Sequence, residues 1–371
     1  MSRFHEAGVE TLVWPRLLPF TFAERLGSGV WPLRLPLLVV QKALNFSRGF
    51  LWQAVAQAIF LRRRGAGIVH LNNSVVRNHD WMLAARLAGL PCVTHERGIN
   101  DVYPSAARSW AKRLDAVVCI SDAVRKQLDA HGLDHGNLVT IHNAFDPAEA
   151  KFKVSPSELR AAHGIPADAP VLVMTGNLKA WKGQETVIRA MAEVRRAHSA
   201  VRCLLVGATS PLDRDFEAAM RALVSNLGLQ DHVLFIGFRE NVADYMRMAD
   251  VVLHASVLPE PFGRVALEAM ACRKPVVGSD AGGIPEIVEN GVTGYTFPPG
   301  NANRLAEAVN WMLDHPEEAA RMGERGYARL VERFPISANV RATQQVYERV
   351  MTKGPSQPEH LDLANEEKHA N

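Results

Sequence analysis

The sequence predicts an α/β protein built from two Rossmann-like domains, on three observations. Short runs of Val, Ile and Leu recur without polar alternation, the pattern of parallel strands covered on both faces. Helical stretches separate these runs, as in successive βαβ units. The chain has 371 residues. At roughly 150 residues per domain, that length accommodates two domains, each able to bury its own core.

In the first half, Val9–Trp14, Gly67–Leu71, Pro91–Thr94, Ala116–Ile120 and Leu138–His142 read as strands. In the second half the strand candidates are Val171–Gly176, Val201–Gly207, Val233–Gly237, Ala249–Ala255, Pro275–Ser279 and Gly294–Phe297. Helical periodicity falls on Ser157–His163, Gln184–His198, Phe216–Leu227, Asn303–His315 and Ile336–Met351. Pro147, Pro156, Pro166 and Pro170 punctuate a polar seam. The expected division is therefore 1–150, then 151–335, with the helix at 336–351 lying back on the first domain. Residues 353–371 are polar and aperiodic and read as a disordered tail. A Rossmann-like domain normally opens on a strand, a glycine-rich turn and a helix. Here that first βα unit is missing, so either the protein starts further upstream or the domain lacks one unit.

Composition narrows the function classes. A hydrophobic share of 47% and a charged share of 22% are those of a globular protein. The four cysteines, Cys92, Cys119, Cys203 and Cys272, lie far apart. That spacing excludes a cysteine zinc cluster or a disulfide scaffold and suits a reducing compartment. The net charge of +3 is concentrated in the first 150 residues. A mildly basic half fits an anionic ligand or a membrane surface and is too weak for a nucleic-acid binder. No secretory signal opens the sequence. The longest plausible membrane run, Gly49 to Leu61, falls short of the ~20 residues that a spanning helix needs. The expected location is the cytoplasm, peripherally on the inner face of the membrane. The segment 25–64 carries Arg25, Arg34, Lys42, Arg48, Arg62, Arg63 and Arg64 with no acidic residue, interleaved with Trp31, Phe46, Phe50, Trp52 and Phe60. Basic and aromatic residues together suit an interfacial helix on anionic lipid, or equally a helix packed on the sheet.

Three motifs carry chemistry. In Glu260-Pro261-Phe262-Gly263-Arg264-Val265-Ala266-Leu267-Glu268, Pro261 and Gly263 mark a loop and Val265 onward a helix. The amides of Phe262 to Val265 then open a helix, where phosphate oxygens bind. A carboxylate at each end could grip hydroxyls of a sugar and of a ribose. Gly176-Asn177-Leu178-Lys179-Ala180-Trp181-Lys182-Gly183 forms the first strand–turn–helix of the second domain, where such folds hold diphosphates. Lys182 supplies a point charge there, although the order is not that of a P-loop. Gly282-Gly283-Ile284-Pro285-Glu286 follows a further strand, and its paired glycines allow close backbone approach. Asp213-Arg214-Asp215 enters a helix rather than following a strand, so no metal site is expected.

Together with Cys119-Ile120-Ser121, Ile141-His142-Asn143-Ala144-Phe145-Asp146 and Leu205-Val206-Gly207, these motifs resemble the family-4 glycosyltransferases of GT-B fold, through most of 67–350. The resemblance implies a retaining transfer of a hexose-type sugar from a nucleotide-diphosphate donor to a hydroxyl of a glycan or lipid-linked acceptor. It places the chain in lipopolysaccharide or other cell-surface polysaccharide synthesis. It implies that Glu260 contacts the donor sugar, Glu268 the ribose, and Lys182 the diphosphate, aided by the Phe262 and Gly263 backbone. Gly176, Asn177, Arg264 and Val265 line the same donor site, and Phe238 and Arg239 flank the base. His95 falls at the interdomain cleft near the donor sugar, as a catalytic residue with Glu260 and Lys182. Asn72, Asn73, Ser74, Glu96 and Arg97 are acceptor-side candidates, Glu96 and Arg97 alternatively pairing with each other. No cofactor or metal is implied. One departure is Asn177, where the family commonly has arginine. Arg264 is the candidate to replace that charge. Two other readings remain: a UDP-sugar 2-epimerase of the same fold, and a non-catalytic nucleotide-sugar-binding partner subunit.

Overall fold

The structure is a computed structural model that describes residues 4, 6–15, 17–22 and 31–353. The tail from 354 onward and Arg25 lie outside the described residues. Two parallel sheets organise the chain. The first contains β1 (Val69–Asn73), β2 (Cys92–Glu96), β3 (Ala116–Cys119) and β4 (Leu138–Thr140), in that order across the sheet. The second contains β5 (Val171–Thr175), β6 (Arg202–Val206), β7 (Val233–Gly237), β8 (Val251–His254), β9 (Val276–Ser279) and β10 (Gly294–Phe297), in the order β10-β9-β8-β5-β6-β7. Strand order therefore reverses between β5 and β8, whose register pairs Met174 with Leu253. A crevice opens at the carboxyl ends of the strands at such a reversal. The predicted alternation of strands and helices is observed, with two Rossmann-like domains.

Several of the helices that follow these strands bury an apolar stripe, as Gln184–Ala197 does with Val187, Ile188, Met191 and Val194. The first run is α1 (Trp31–Phe46), continued by a π-helical turn (Ser47–Trp52) into α2 (Gln53–Arg63). Ala54, Ala58 and Leu61 of α2 are buried, whereas Leu35, Val39 and Phe46 of α1 and Trp52 are exposed. No helix of the described residues is long and apolar enough to cross a membrane. Next come α3 (His79–Ala88), α4 (Ser105–Ala111) and α5 (Asp122–Ala130). The Ser121 side chain accepts the Val124 amide and starts α5. In the second domain lie α6 (Pro156–Ala162), α7 (Gln184–Ala197), α8 (Arg214–Asn226), α9 (Val242–Met248), α10 (Arg264–Ala271), α11 (Ile284–Ile287), α12 (Ala302–Asp314) and α13 (Pro316–Arg333). The last helix, α14 (Ile336–Lys353), returns to the first sheet. Its Val346 and Val350 pack with Val93, Ala116, Val118, Val139 and Ile141. Lys353, assigned to a tail by the sequence, belongs to this helix.

One expected strand is not formed. Residues 9–15 have no regular structure, and Val9, Leu12 and Val13 are exposed. Among the described residues β1 pairs only with β2, and none of them supplies Val9–Trp14 with a ladder of hydrogen bonds. The segment docks instead through Trp14, edge-on to Phe60 at 5.3 Å and Trp81 at 5.5 Å, through Glu10, which accepts from Arg64 at 2.8 Å, and through Pro15 O, which accepts from Gln53 Nε2 at 2.9 Å.

The domains touch. Phe145 donates its amide to Phe334 O at 3.1 Å. The Phe262 ring lies 6.1 Å from Phe334 and 6.2 Å from His142.

Candidate functional site

Three loops at the carboxyl ends of β5, β8 and β9 converge because glycines remove the side chains between them. Gly183, at φ +82°, would place a Cβ 1.8 Å from the Ala255 carbonyl oxygen. Gly282, at φ +62°, would place one 2.1 Å from Glu260 O. Gly283 donates its amide to that same oxygen at 2.9 Å. The loop carrying Lys182 thus abuts the end of β8, and the Gly282-Gly283 turn abuts Glu260.

At their meeting point Lys182 Nζ donates to Glu260 Oε1 at 2.8 Å and to Oε2 at 2.9 Å. His254 Nε2 lies 2.6 Å from Glu260 Oε2, and Ser256 Oγ donates to that oxygen at 2.8 Å. Ser279 Oγ is 3.3 Å from His254 Nδ1, and Nε2–H faces the carboxylate. Burial pushes the Glu260 carboxyl up, but the hydrogen bond and charge of His254, with Lys182, outweigh it and hold the group down at about 2. Glu260 is therefore a fixed anion. Lys182 also lies 4.3 Å from the centre of the Trp181 ring. His254 and Ser256 were not singled out from the sequence. The signal was a histidine inside an otherwise apolar strand, six residues before Glu260.

The start of α10 sits beside this pair. Gly263, at φ +98°, leads into Arg264–Ala271. Phe262 is buried, its ring beside those of His142 and Phe334. Val265 is half-buried and Arg264 exposed. Arg264 lies 3.9 Å from Glu268. Burial raises the Glu268 carboxyl and Arg264 opposes that rise. Asn177 is exposed, and its carbonyl accepts from the Gln184 side chain at 3.0 Å. Gly176 donates to Val206 O at 2.9 Å. Phe238, 69% exposed, and Arg239 follow β7, two strands from β5. Arg239 Nε donates to the Tyr245 hydroxyl at 3.0 Å.

On the first domain, His95 and Glu96 end β2. Glu96 and Arg97 do not pair. Glu96 is buried and accepts from Ser74 Oγ and the Val75 amide, each at 2.9 Å. Ser74 is buried too, so both hold the strand ends together and present nothing to an acceptor in this conformation. Arg97 Nε donates to Asn72 Oδ1 at 2.6 Å and Nη1 to Asn143 Oδ1 at 3.3 Å. Asn72 and Asn73 are exposed. Burial lowers the Arg97 pKa, and so does Arg264 across the cleft. Arg264 of the second domain lies 6.0 Å from the Phe145 ring, two residues along from the Asn143 that Arg97 contacts. His95 is buried, which with His70 and Arg97 pushes its pKa down to about 3.

Glu286, quoted in the third motif without a role, joins the domains. Its carboxylate accepts the Asp122 amide at 2.9 Å, the Ala123 amide at 2.8 Å, and lies 2.8 Å from His142 Nε2. Ser121 Oγ donates to Pro261 O at 2.5 Å. Asp122, His142 and Glu286 form the one grouping of possible metal ligands among the described residues. The Glu286 oxygens there are already engaged by amides and imidazole.

Residues 2–149 match the family described as Glycosyltransferase Family 4, and 156–329 the one described as Glycosyl transferases group 1. A glycogen synthase of Mycobacterium tuberculosis is 30% identical over 300 residues, covering 74% of this chain and 68% of that one. The chain belongs to the family-4 glycosyltransferases of GT-B fold. N-acetyl-alpha-D-glucosaminyl L-malate synthase of Bacillus anthracis is 31% identical over 250 residues, or 67% of this chain. This family-4 chain spans 64% of that synthase, less than two thirds of its length. Among solved structures, Anabaena HepE in complex with UDP and glucose superposes with a TM-score of 0.67 at 30% identity, over 73% of this chain and 75% of that one.

Proposed function

We propose that this chain transfers a hexose-type sugar from a nucleotide-diphosphate donor to an acceptor hydroxyl, with retention. The observation that carries this reading is the Lys182–Glu260 pair at the start of α10, at the strand reversal of the second sheet. Each part then has a task. Lys182 and the first amides of α10 take the diphosphate. Arg97 and Arg264 add positive charge from both sides of the cleft, which stabilises the departing diphosphate without a metal ion. Glu260 releases Lys182 to the phosphates and turns its acceptor oxygens to the sugar. Glu268 binds the ribose, and the exposed Phe238 ring covers the base. An anion held at about 2 between lysine and histidine is a poor nucleophile. We therefore assign no covalent role to Glu260, and the leaving phosphate takes the acceptor proton. HepE's complex with UDP and glucose favours a UDP-sugar as donor. The acceptor is a glycan or lipid-linked hydroxyl in surface-polysaccharide or lipopolysaccharide assembly.

A thermal-shift series across UDP-, GDP- and ADP-sugars tests the donor site. A cognate donor at a hundredfold its Kd stabilises by about 2.7 kcal/mol, and Lys182→Ala removes most of that shift. No shift with any sugar nucleotide would overturn the reading. Rapid donor turnover without an acceptor would identify an epimerase instead.

A second observation supports contact with the cytoplasmic face of a membrane. Leu35, Val39, Phe46, Trp52 and Ile59 are exposed along the α1–α2 run, beside Lys42 and Arg48 and the Arg62 to Arg64 cluster. Binding to vesicles of phosphatidylglycerol that is lost when those three arginines become glutamine supports an interfacial role. Absence of binding at low salt would defeat it.

A further inference from the structure

His95 is not alone. His70 of β1 and His95 of β2 project from one face of the first sheet, because the register pairs His70 with Val93 and Asn72 with His95. That face is the one covered by α14, whose Tyr347 reaches the histidines. The Tyr347 hydroxyl is hydrogen-bonded to His70 Nδ1. His70 Nε2 lies 2.6 Å from His95 Nδ1. The two rings are within 12° of parallel with centroids 4.7 Å apart. With nitrogens at 2.6 Å, that separation requires the rings to meet edge to edge, as an in-line N–H···N bond needs. Three side chains from two strands and the final helix thus form one chain of hydrogen bonds ending at His95 Nε2. That nitrogen has no partner among the described residues.

Such a chain has two orders. In one, Tyr347 donates to His70, His70 donates to His95, and His95 carries its proton on Nε2. In the other every bond reverses, and the Tyr347 hydroxyl needs a different acceptor. Among the described residues His70 is the only partner the hydroxyl has. Burial and the nearby Arg97 lower the pKa of both imidazoles, so each carries one proton at neutral pH and the order of bonds fixes where it sits. We propose that Tyr347 and His70 are positioning residues that hold His95 as the Nε2–H tautomer, so that it offers a hydrogen-bond donor to an oxygen of the bound sugar nucleotide. This deepens the transferase reading and rests on His95 lying at the donor site.

Two measurements test it on the full chain. Long-range ¹H–¹⁵N correlation of the labelled histidines should show His95 protonated on Nε2 in the wild type and a mixture of tautomers in Tyr347→Phe. A His95 signal unchanged by Tyr347→Phe, with His95 already mixed or on Nδ1 in the wild type, would overturn the proposal. For turnover, UDP release from UDP-glucose is measured in Tyr347→Phe, His70→Phe and His95→Ala, and in each of the first two combined with the third. Tyr347→Phe and His70→Phe should each lower kcat roughly tenfold, equivalent to about 1.4 kcal/mol, with KM for the sugar nucleotide and the melting temperature nearly unchanged. Neither should slow the His95→Ala variant further, since both act through His95. An equal loss in the His95→Ala background would make them merely structural and overturn the proposal. Wild-type turnover by His95→Ala would instead overturn the placement of His95 at the donor site, whatever the spectra show.

Discussion

Glu260 shows how a single carboxylate can be tied to both stability and ligand exchange. It is mostly buried, with 14% of its side chain exposed, yet its folded pKa of about 2 lies below the ordinary value of 4.5. A depressed carboxyl pKa contributes stability that is fully present above the unfolded value. That contribution fades as pH falls from 4.5 toward 2. Glu260→Gln keeps the shape and removes the charge. We expect it to lower stability at pH 7 by roughly 1.5–3 kcal/mol, the usual worth of hydrogen bonds to a charged group. The wild-type and variant melting temperatures should converge as pH approaches 2, which a pH series of thermal melts reads directly. A difference that stayed constant down to pH 2 would mean that the Lys182–Glu260–His254 contacts contribute nothing through charge. Glu260→Ala should also lower transfer by orders of magnitude while nucleotide affinity changes little, because the diphosphate contacts lie on Lys182 and the α10 amides. Wild-type turnover would remove Glu260 from the site.

At the scale of elements, the loops that bring Lys182 and Glu260 together depend on backbone contact at glycines. Gly183→Ala must fit a Cβ against a carbonyl at 1.8 Å and keep a left-handed φ. Gly291, at φ +75° with open space around it, bears the conformational cost alone. We expect Gly291→Ala to cost about 1 kcal/mol and Gly183→Ala at least twice that, with loss of nucleotide binding, by denaturant melts of both. Equal costs would show that the loop yields freely. The elements themselves were largely legible in the sequence. Continuous Val/Ile/Leu runs marked β2 to β10 to within a residue or two, because buried parallel strands have no polar alternation to blur them. Gln184–His198 and Asn303–His315 likewise anticipated α7 and α12. Val9–Trp14 misled for the opposite reason: a strand exists only if a neighbour pairs with it, and composition does not report the neighbour. The same limit hid part of the site. Lys182 and Glu260 stood out inside glycine-marked motifs, whereas His254, His70 and Tyr347 matter only through partners 6, 25 and 277 residues away.

For the whole molecule, few polar contacts among the described residues join the two domains, and most of them end on Glu286. Its carboxylate lies on the first amides of α5, where the helix dipole favours an anion, and beside His142. These are charge-assisted bonds in a partly sheltered place, with 18% of the Glu286 side chain exposed. Removing them should cost the arrangement that holds these contacts, termed closed, about 3 kcal/mol against one in which the domains part. Since each 1.4 kcal/mol is tenfold, that shifts the ratio of closed to open molecules roughly a hundredfold toward open. The aromatic contacts of Phe262, Phe334 and His142 and the packing of α14 on the first sheet survive the change, so the domains stay tethered while the cleft widens. We therefore expect Glu286→Ala to enlarge the radius of gyration of the ligand-free protein in small-angle scattering without lowering its melting temperature by more than a few degrees. A saturating sugar nucleotide that contacts Arg97 and Arg264 from opposite sides should draw the variant back toward the wild-type profile. Superimposable scattering curves for the ligand-free variant and wild type would show that the hydrophobic contacts alone hold the cleft closed and that Glu286 does not set its width.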